Sequence, residues 1–291
     1  MDNKFINWAI FCILSIVWGS SFILMKEGLT VLSAYQVASI RMLFAGLALL
    51  PFAIKAFKNI PKEKMGIVLI SGILGNFIPA YLFCIAETNI DSSLAGILNS
   101  LTPLFTILVG LSFFKTTIIK QKIIGVIIGF LGLCLLFAAG KNISFQNLSF
   151  AFLVLIATFF YGLNANMVGK FLKNIRAIDI VSVAFAFLII PSLLILYLTG
   201  YFSMSFYEVA FQKATIAGIV LGIVGTSIAS ILFYMLIKRS TIVFASMVTY
   251  GIPIIAVAWG VYFGESISLL QVGSLLIILA GVYIVNKPQQ S

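Results

Sequence analysis

The 291-residue chain has no histidine, only three cysteines, and few charges, 9% of its residues. The lack of histidine removes the most common metal ligand and the usual proton shuttle near neutral pH. Cys12, Cys84 and Cys134 all fall inside apolar runs. That placement suits neither a disulfide framework nor a spaced metal site, so they read as small packing residues. The acids Asp2, Glu27, Glu63, Glu87, Asp91, Asp179, Glu208 and Glu265 lie in connections or at the ends of apolar runs. A membrane enzyme would need a nucleophile, metal ligands or paired acids at depth. With no glycine-serine elbow, histidine cluster or deep carboxylate pair in the sequence, an enzyme is not expected, and neither is a metal or cofactor.

What is present instead is apolar length. Apolar residues make up 62% of the chain, and the mean hydropathy of +1.19 exceeds what a soluble domain tolerates. Ten apolar stretches run about 7–25, 34–54, 65–86, 92–113, 120–138, 148–169, 179–199, 214–235, 242–263 and 270–286. Each is near the ~20 residues a helix needs to cross a bilayer. The connections leave no room for a soluble domain. Asp2 and Lys4 precede the first run as in a signal peptide, but "WGSSFILMK" offers no small-x-small cleavage site, so this run reads as a retained first span.

Basic residues set the orientation. With an inside N-terminus, the inner segments hold Lys4; Lys55, Lys58, Lys62 and Lys64; Lys115, Lys120 and Lys122; Lys170, Lys173 and Arg176; Lys238 and Arg239; and Lys287. The outer segments hold Lys26, Lys141 and Lys213, and Arg41 lies within the second span. Both termini are therefore expected in the cytoplasm, and positive-inside topology explains the net charge of +10 without a nucleic-acid partner.

The chain also repeats itself at a spacing of 143 to 150 residues. "WGSSFILMK" from Trp18 lies over "YGLNANMVGK" from Tyr161, and "AYQVASI" from Ala34 over "AIDIVSV" from Ala177. "LFCIAE" at Leu82 matches "LFYMLI" at Leu232, and Pro103 falls on Pro253. Because five is odd, two five-span halves, residues 1–140 and 148–288, enter the membrane from opposite sides. Inverted repeats of this kind are a common construction of secondary transporters, with the substrate near the midplane.

Pro103 and Pro253 interrupt apolar runs near mid-depth, and each removes an N–H that would serve the carbonyl four residues back, of Asn99 or Thr249. Such irregularity is tolerated where it is buried in protein or lines a cavity. The pair reads either as hinges or as ordinary kinks. Polar and aromatic residues at similar depth should share the cavity: Trp18, Ser20, Ser21, Tyr81, Asn99, Tyr161, Asn164, Ser230, Tyr234 and Tyr250. Trp259 reads as packing. Arg41 is costly at its depth unless it pairs, meets water or snorkels. Glu87 and Asp91 lie at the same outer end, and an Arg41–Glu87 pair would make an outer gate opening toward an anionic cargo group; a static, bundle-stabilising arginine is the alternative. Glycines in "GVIIGFLG" from Gly125 and "GSLLIILAG" from Gly273 predict close approach of spans five and ten.

These features resemble the EamA-type ten-span members of the drug/metabolite transporter superfamily. The resemblance rests on "WGSSF", the arginine of "SIRMLFAG", "AETNIDSSLAGILNSLTPLFTILVG" and "YGIPIIAVAWGVYFGESISLLQVGSLLIILAGVYI". One departure is visible: the second half has the family's acidic turn as "FGES" with Glu265, whereas the first half has "FFKT" with Lys115. The resemblance implies an exporter of small metabolites in the cell membrane, with mainly structural terminal spans in each half, acting as a monomer or homodimer. With no acid at the midplane, facilitated transport or exchange is expected over proton antiport. A passive channel or structural membrane protein is the alternative.

Overall fold

In a computed structural model, which describes residues 3–90, 92–138, 148–262 and 268–287, every regular element among those residues is helical. Helices α1 (Asn3–Leu29) and α2 (Ala34–Asn59) are unbroken. Helix α3 (Lys62–Gly72) passes through a π turn at Ile73–Phe77 into α4 (Ile78–Ala86). Then come α5 (Ser92–Asn99), α6 (Thr102–Ser112), α7 (Lys120–Ala138), α8 (Leu148–Phe171) and α9 (Ala177–Leu198). Helix α10 (Val209–Gly222) runs through a second π turn at Ile223–Ile228 into α11 (Ala229–Arg239), followed by α12 (Ile242–Ser246), α13 (Val248–Tyr262) and α14 (Leu269–Asn286).

Six of these rods are long and apolar enough to cross a membrane: Lys4–Leu29, Ala34–Asn59, Lys62–Ala86, Ser149–Phe171, Ala177–Leu198 and Val209–Arg239. Shorter apolar helices cover Thr102–Ser112, Ile242–Ile255 and Leu269–Val285. Large apolar side chains such as Leu131, Phe152, Ile190 and Leu276 stay exposed in mid-helix. In water that surface would be a liability, whereas against lipid tails it costs nothing. The chain is a multi-pass membrane protein.

Helix starts follow local chemistry. Ser33 and Gln36 form a capping box at α2, as Ser268 and Gln271 do at α14, so orphan N–H groups of the first turn are satisfied by side chains. Two expected single spans are each broken in two. Helices α5 and α6 meet at a turn through Ser100 and Leu101, and α12 and α13 at Met247.

The most extensive packing joins α2 to α9 and α7 to α14, and further contacts join α6 to α8 and α1 to α13. The glycine stripes account for the α7–α14 contact. A Cβ at Gly281 would lie 2.5 Å from the Gly129 nitrogen and 2.6 Å from the Gly125 carbonyl oxygen. Gly273, placed in the same stripe from sequence, would meet nothing within 4 Å.

The basic segment ends gather on one face. The Lys170 ammonium donates to the Phe114 carbonyl at 2.7 Å, that of Lys238 donates to the Ile175 carbonyl, and Lys64 sits 6.0 Å from the Phe171 ring. The Asn7 amide donates to the Arg239 carbonyl at 3.5 Å and that of Gln121 to the Lys287 carbonyl at 3.0 Å. These contacts bring the starts of α1, α3 and α7 together with the ends of α6, α8, α11 and α14.

Candidate functional site

The helix irregularities converge on a central cavity of about 100 Å³ bordered by both halves of the sequence. That is several times what one water needs, so the space suits water or a small solute. Its lining residues fall into pairs at the repeat spacing: Trp18 with Tyr161, Ser21 with Asn164, Gly75 with Gly225, Phe83 with Phe233, Asn99 with Thr249, and Thr102 with Ile252. The contacts among them correspond as well. Phe83 stacks on Tyr161 with centroids 6.0 Å apart, while Phe233 meets Trp18 edge-on at 5.3 Å. A Cβ at Gly75 would collide with the Asn164 amide, and one at Gly225 would lie 2.9 Å from Ser21 Oγ.

Both glycines sit within the π turns, which occupy corresponding positions. An extra residue in the turn re-aims the backbone, and the bare glycine leaves room for a polar side chain from α8 or α1. The polar wall is tied to the helices. Trp18 Nε1 donates to the Gly225 carbonyl at 3.1 Å, Ser230 Oγ to Asn76 Oδ1 at 3.0 Å, and Asn164 Nδ2 to the Tyr234 hydroxyl at 2.9 Å. The Asn164 Oδ1 atom is buried without a partner. Among the described residues, no group of three or more His, Cys, Asp or Glu side chains is placed to hold a metal ion.

Of the residues expected in a cavity, Trp18, Ser21, Asn99, Tyr161, Asn164, Ser230 and Tyr234 line this one. Ser20, Tyr81 and Tyr250 do not, and for the two tyrosines the reason is a partner elsewhere. The Tyr81 hydroxyl bonds Ser39 Oγ at 2.7 Å between α4 and α2, and the Tyr250 hydroxyl donates to the Val126 carbonyl at 2.9 Å on α7. Phe22, Met25, Asn76, Phe83, Phe233 and Ser246, which the sequence does not single out, also line the cavity, as does Thr249, expected there only as a freed carbonyl. The pairing of Phe83 with Phe233 inside "LFCIAE" and "LFYMLI" was the available signal.

The two prolines differ. Pro103 is the second residue of α6, where a helix leaves its first N–H groups unbonded, so it costs no intrahelical bond. The Asn99 carbonyl expected to be free accepts the Thr102 hydroxyl at 2.6 Å. Pro253 lies inside α13, as Pro51 and Pro191 lie inside α2 and α9.

Arg41 lines the cavity, but the ion pair expected with Glu87 is not formed; the arginine instead donates from Nε to Thr226 Oγ1 at 2.6 Å. The salt bridge present among the described residues is Arg176–Asp179 at 2.8 Å. Glu87, the residue after the last turn of α4, is 7% exposed. Its Oε2 accepts a 3.3 Å bond from Ser92 and its Oε1 has no partner. Burial pushes the Glu87 carboxyl up to about 8, against the pull of Ser92, Lys26 and Arg41. Asp91, Glu265 and the Trp259 side chain lie outside the described residues.

Comparison with known proteins agrees with this architecture. An uncharacterised transporter of Archaeoglobus fulgidus is 26% identical over 97% of this chain and 99% of its own length. A probable amino-acid metabolite efflux pump of Salmonella typhimurium is 23% identical over 92% of this chain and 91% of its own. A solved crystal structure superimposes with a TM-score of 0.74 at 15% identity, covering 96% of this chain and 95% of that one, and so shares the fold. Residues 6–138 and 148–287 each match the EamA-like transporter family, and the chain belongs to that family.

Proposed function

We propose that this membrane transporter is a secondary carrier that moves small metabolites, amino-acid-like or other small organic solutes, out of the cell by alternating access. The observation that carries the reading is the correspondence between the cavity walls, in which a contact made by one half recurs in the other at the 143- or 150-residue spacing. Correspondence of this kind supports two inverted five-helix repeats, residues 1–140 and 148–288, in a ten-span chain. Rocking one repeat against the other would expose a fixed site to each side in turn. The efflux assigned to the Salmonella relative by its description favours export.

The hinges in this reading are the break between α5 and α6, followed at once by Pro103, and the α12–α13 break with Pro253 nearly two turns beyond it. The face that gathers the basic segment ends is the cytoplasmic one, and both termini lie there. A second feature bears on energy coupling: Glu87 is a buried acid with one carboxyl oxygen unpartnered, and its burial raises the carboxyl pKa, which favours proton-linked exchange over simple facilitation.

The test is a single cysteine at Ser230 in a chain whose Cys12, Cys84 and Cys134 have been replaced by alanine, assayed in oriented vesicles with a membrane-impermeant thiol reagent. Alternating access predicts labelling from either side alone, with cargo gradients shifting the balance between them. A channel would pass the reagent and cargo together without that shift. Comparing metabolites in cells with and without the protein supplies the cargo, and solute exchange in proteoliposomes confirms it.

A further inference from the structure

The cavity contains one cation and, among its lining residues, no carboxylate. Arg41 is held there by a specific device. A Cβ at Gly222 would lie 2.6 Å from the Arg41 carbonyl oxygen, so the glycine is what lets α10 approach α2 at this point. The π turn that follows carries Thr226 to the arginine. The single Thr226 hydroxyl hydrogen is donated to the Leu221 carbonyl at 2.9 Å, so Oγ1 meets Arg41 Nε as an acceptor. One N–H of the guanidinium is thereby fixed, and its remaining edge, with four N–H groups, has no partner among the described residues.

A guanidinium in a largely apolar interior is expensive unless its charge is answered. The nearby acid does not answer it, since Glu87 makes no ion pair and holds its proton to about 8. The planar fork of an arginine edge matches a carboxylate in bidentate fashion. Around it, the walls offer the Phe83, Phe233 and Tyr161 rings, and the buried Asn164 Oδ1 offers an unsatisfied acceptor.

We infer that Arg41, oriented by Thr226, is the carboxylate-binding residue of the transport cavity, and that the cargo is a small organic acid with an apolar or aromatic body and room for a hydrogen-bond donor near Asn164. The inference rests on the transport reading above, but binding tests it separately.

The experiment measures ligand-induced thermal stabilisation of the purified full-length protein in nanodiscs with a matched probe pair, phenylacetate and phenylacetamide, which differ in charge and little in shape. The wild type should bind the acid about 10- to 100-fold more tightly than the amide, the range expected for a hydrogen-bonded charge in a partly desolvated site. Arg41→Gln should abolish the preference, and Arg41→Lys should leave a small part of it. Thr226→Val removes the anchor while leaving the charge, and should weaken acid binding with little effect on the amide. Lys26→Gln, outside the cavity, should change neither. If Arg41→Gln does not insert, the Thr226→Val and Arg41→Lys comparisons decide. Equal stabilisation by both probes, or by neither, in the wild type overturns the subsite, as does an acid preference that survives in Thr226→Val and Arg41→Lys. Loss of the preference with solute exchange intact leaves the transport reading standing. Binding without exchange of any solute in proteoliposomes removes the transport reading and leaves the subsite.

Discussion

Replacing Glu87 with glutamine tests whether a buried acid at the end of α4 governs the pH response of this protein. Glutamine keeps the shape and removes the charge. Burial raises the Glu87 carboxyl from its ordinary 4.5 to about 8. At ~1.4 kcal/mol per pH unit, ionising it in the folded protein costs roughly 5 kcal/mol more than in the unfolded chain. The folded state holds more protons than the unfolded one between those two values, so stability falls as pH rises from about 4.5 to 8 and levels off above. The full figure is an upper bound, because an unfolded membrane protein in detergent retains structure and partial burial. Melting followed by tryptophan fluorescence, at about pH 5 and about pH 9, should show the wild type losing several degrees between the two. Glu87→Gln should match the wild type in acid and exceed it in base. Transport by the variant should also lose its pH dependence. If both proteins melt alike at both pH values, the carboxyl is reached by water in solution and the burial argument fails.

Four further outcomes follow from local geometry. Gly281→Leu should prevent α7 and α14 from meeting and abolish stable protein by gel filtration, because even a Cβ there would lie 2.5 Å from the Gly129 nitrogen. Gly273→Ala, with open space around it, should instead be neutral or raise stability by up to about 1 kcal/mol. Tyr250→Phe should cost about 1 kcal/mol in unfolding by losing its bond to Val126 while leaving transport unchanged. Lys115 adopts the left-handed region at φ 51°, so Lys115→Gly should raise the melting temperature slightly, with a gain of about 0.5 kcal/mol or more.

Much of the bundle could be read from the sequence because a helix in lipid must be apolar along most of its length, and that requirement writes itself in long runs. The repeat was visible because matched letters fall at nearly constant spacing. The π turns were not, since a glycine in an apolar run reads first as a packing residue, and a 150-residue spacing does not single out Gly75 and Gly225 when Gly72 and Gly222, and Gly110 and Gly260, share it. A mid-depth hydroxyl needs polar surroundings, and on that ground the sequence places Tyr81 and Tyr250 in the cavity. One neighbouring hydroxyl or one helix carbonyl suffices, and each tyrosine found one outside the cavity. Phe83 and Phe233 escape notice in the sequence for the opposite reason: the chain has 27 phenylalanines, and composition alone does not separate a wall of the site from a lipid-facing ring. Pro103 reads as a lost hydrogen bond only if the fourth apolar run is one helix. Once the chain turns at Ser100 and Leu101, the proline stands where helices ordinarily start.

The correspondence between the halves also shows where they differ. The contact between Gly72 and Ala184, where a Cβ would lie 2.9 Å from the alanine methyl, has its counterpart between Gly222 and the Arg41 backbone. Arg41 therefore occupies the position of Ala184, and Thr226 that of Asn76. In the same way Glu87 corresponds to Ile237, which is buried. On the proposed alternating-access reading, two halves with matched packing would make two opposite-facing conformations close in energy, and a few kcal/mol from ligand or proton would then be enough to shift the population between them. A residue present in both halves stabilises both conformations alike and biases neither. On that reading, Arg41 and Glu87, each present in one half, are the groups through which an anion or a proton would interact differently with the two conformations. For that reason the chemistry of coupling is assigned, on the same reading, to the places where the repeat is broken.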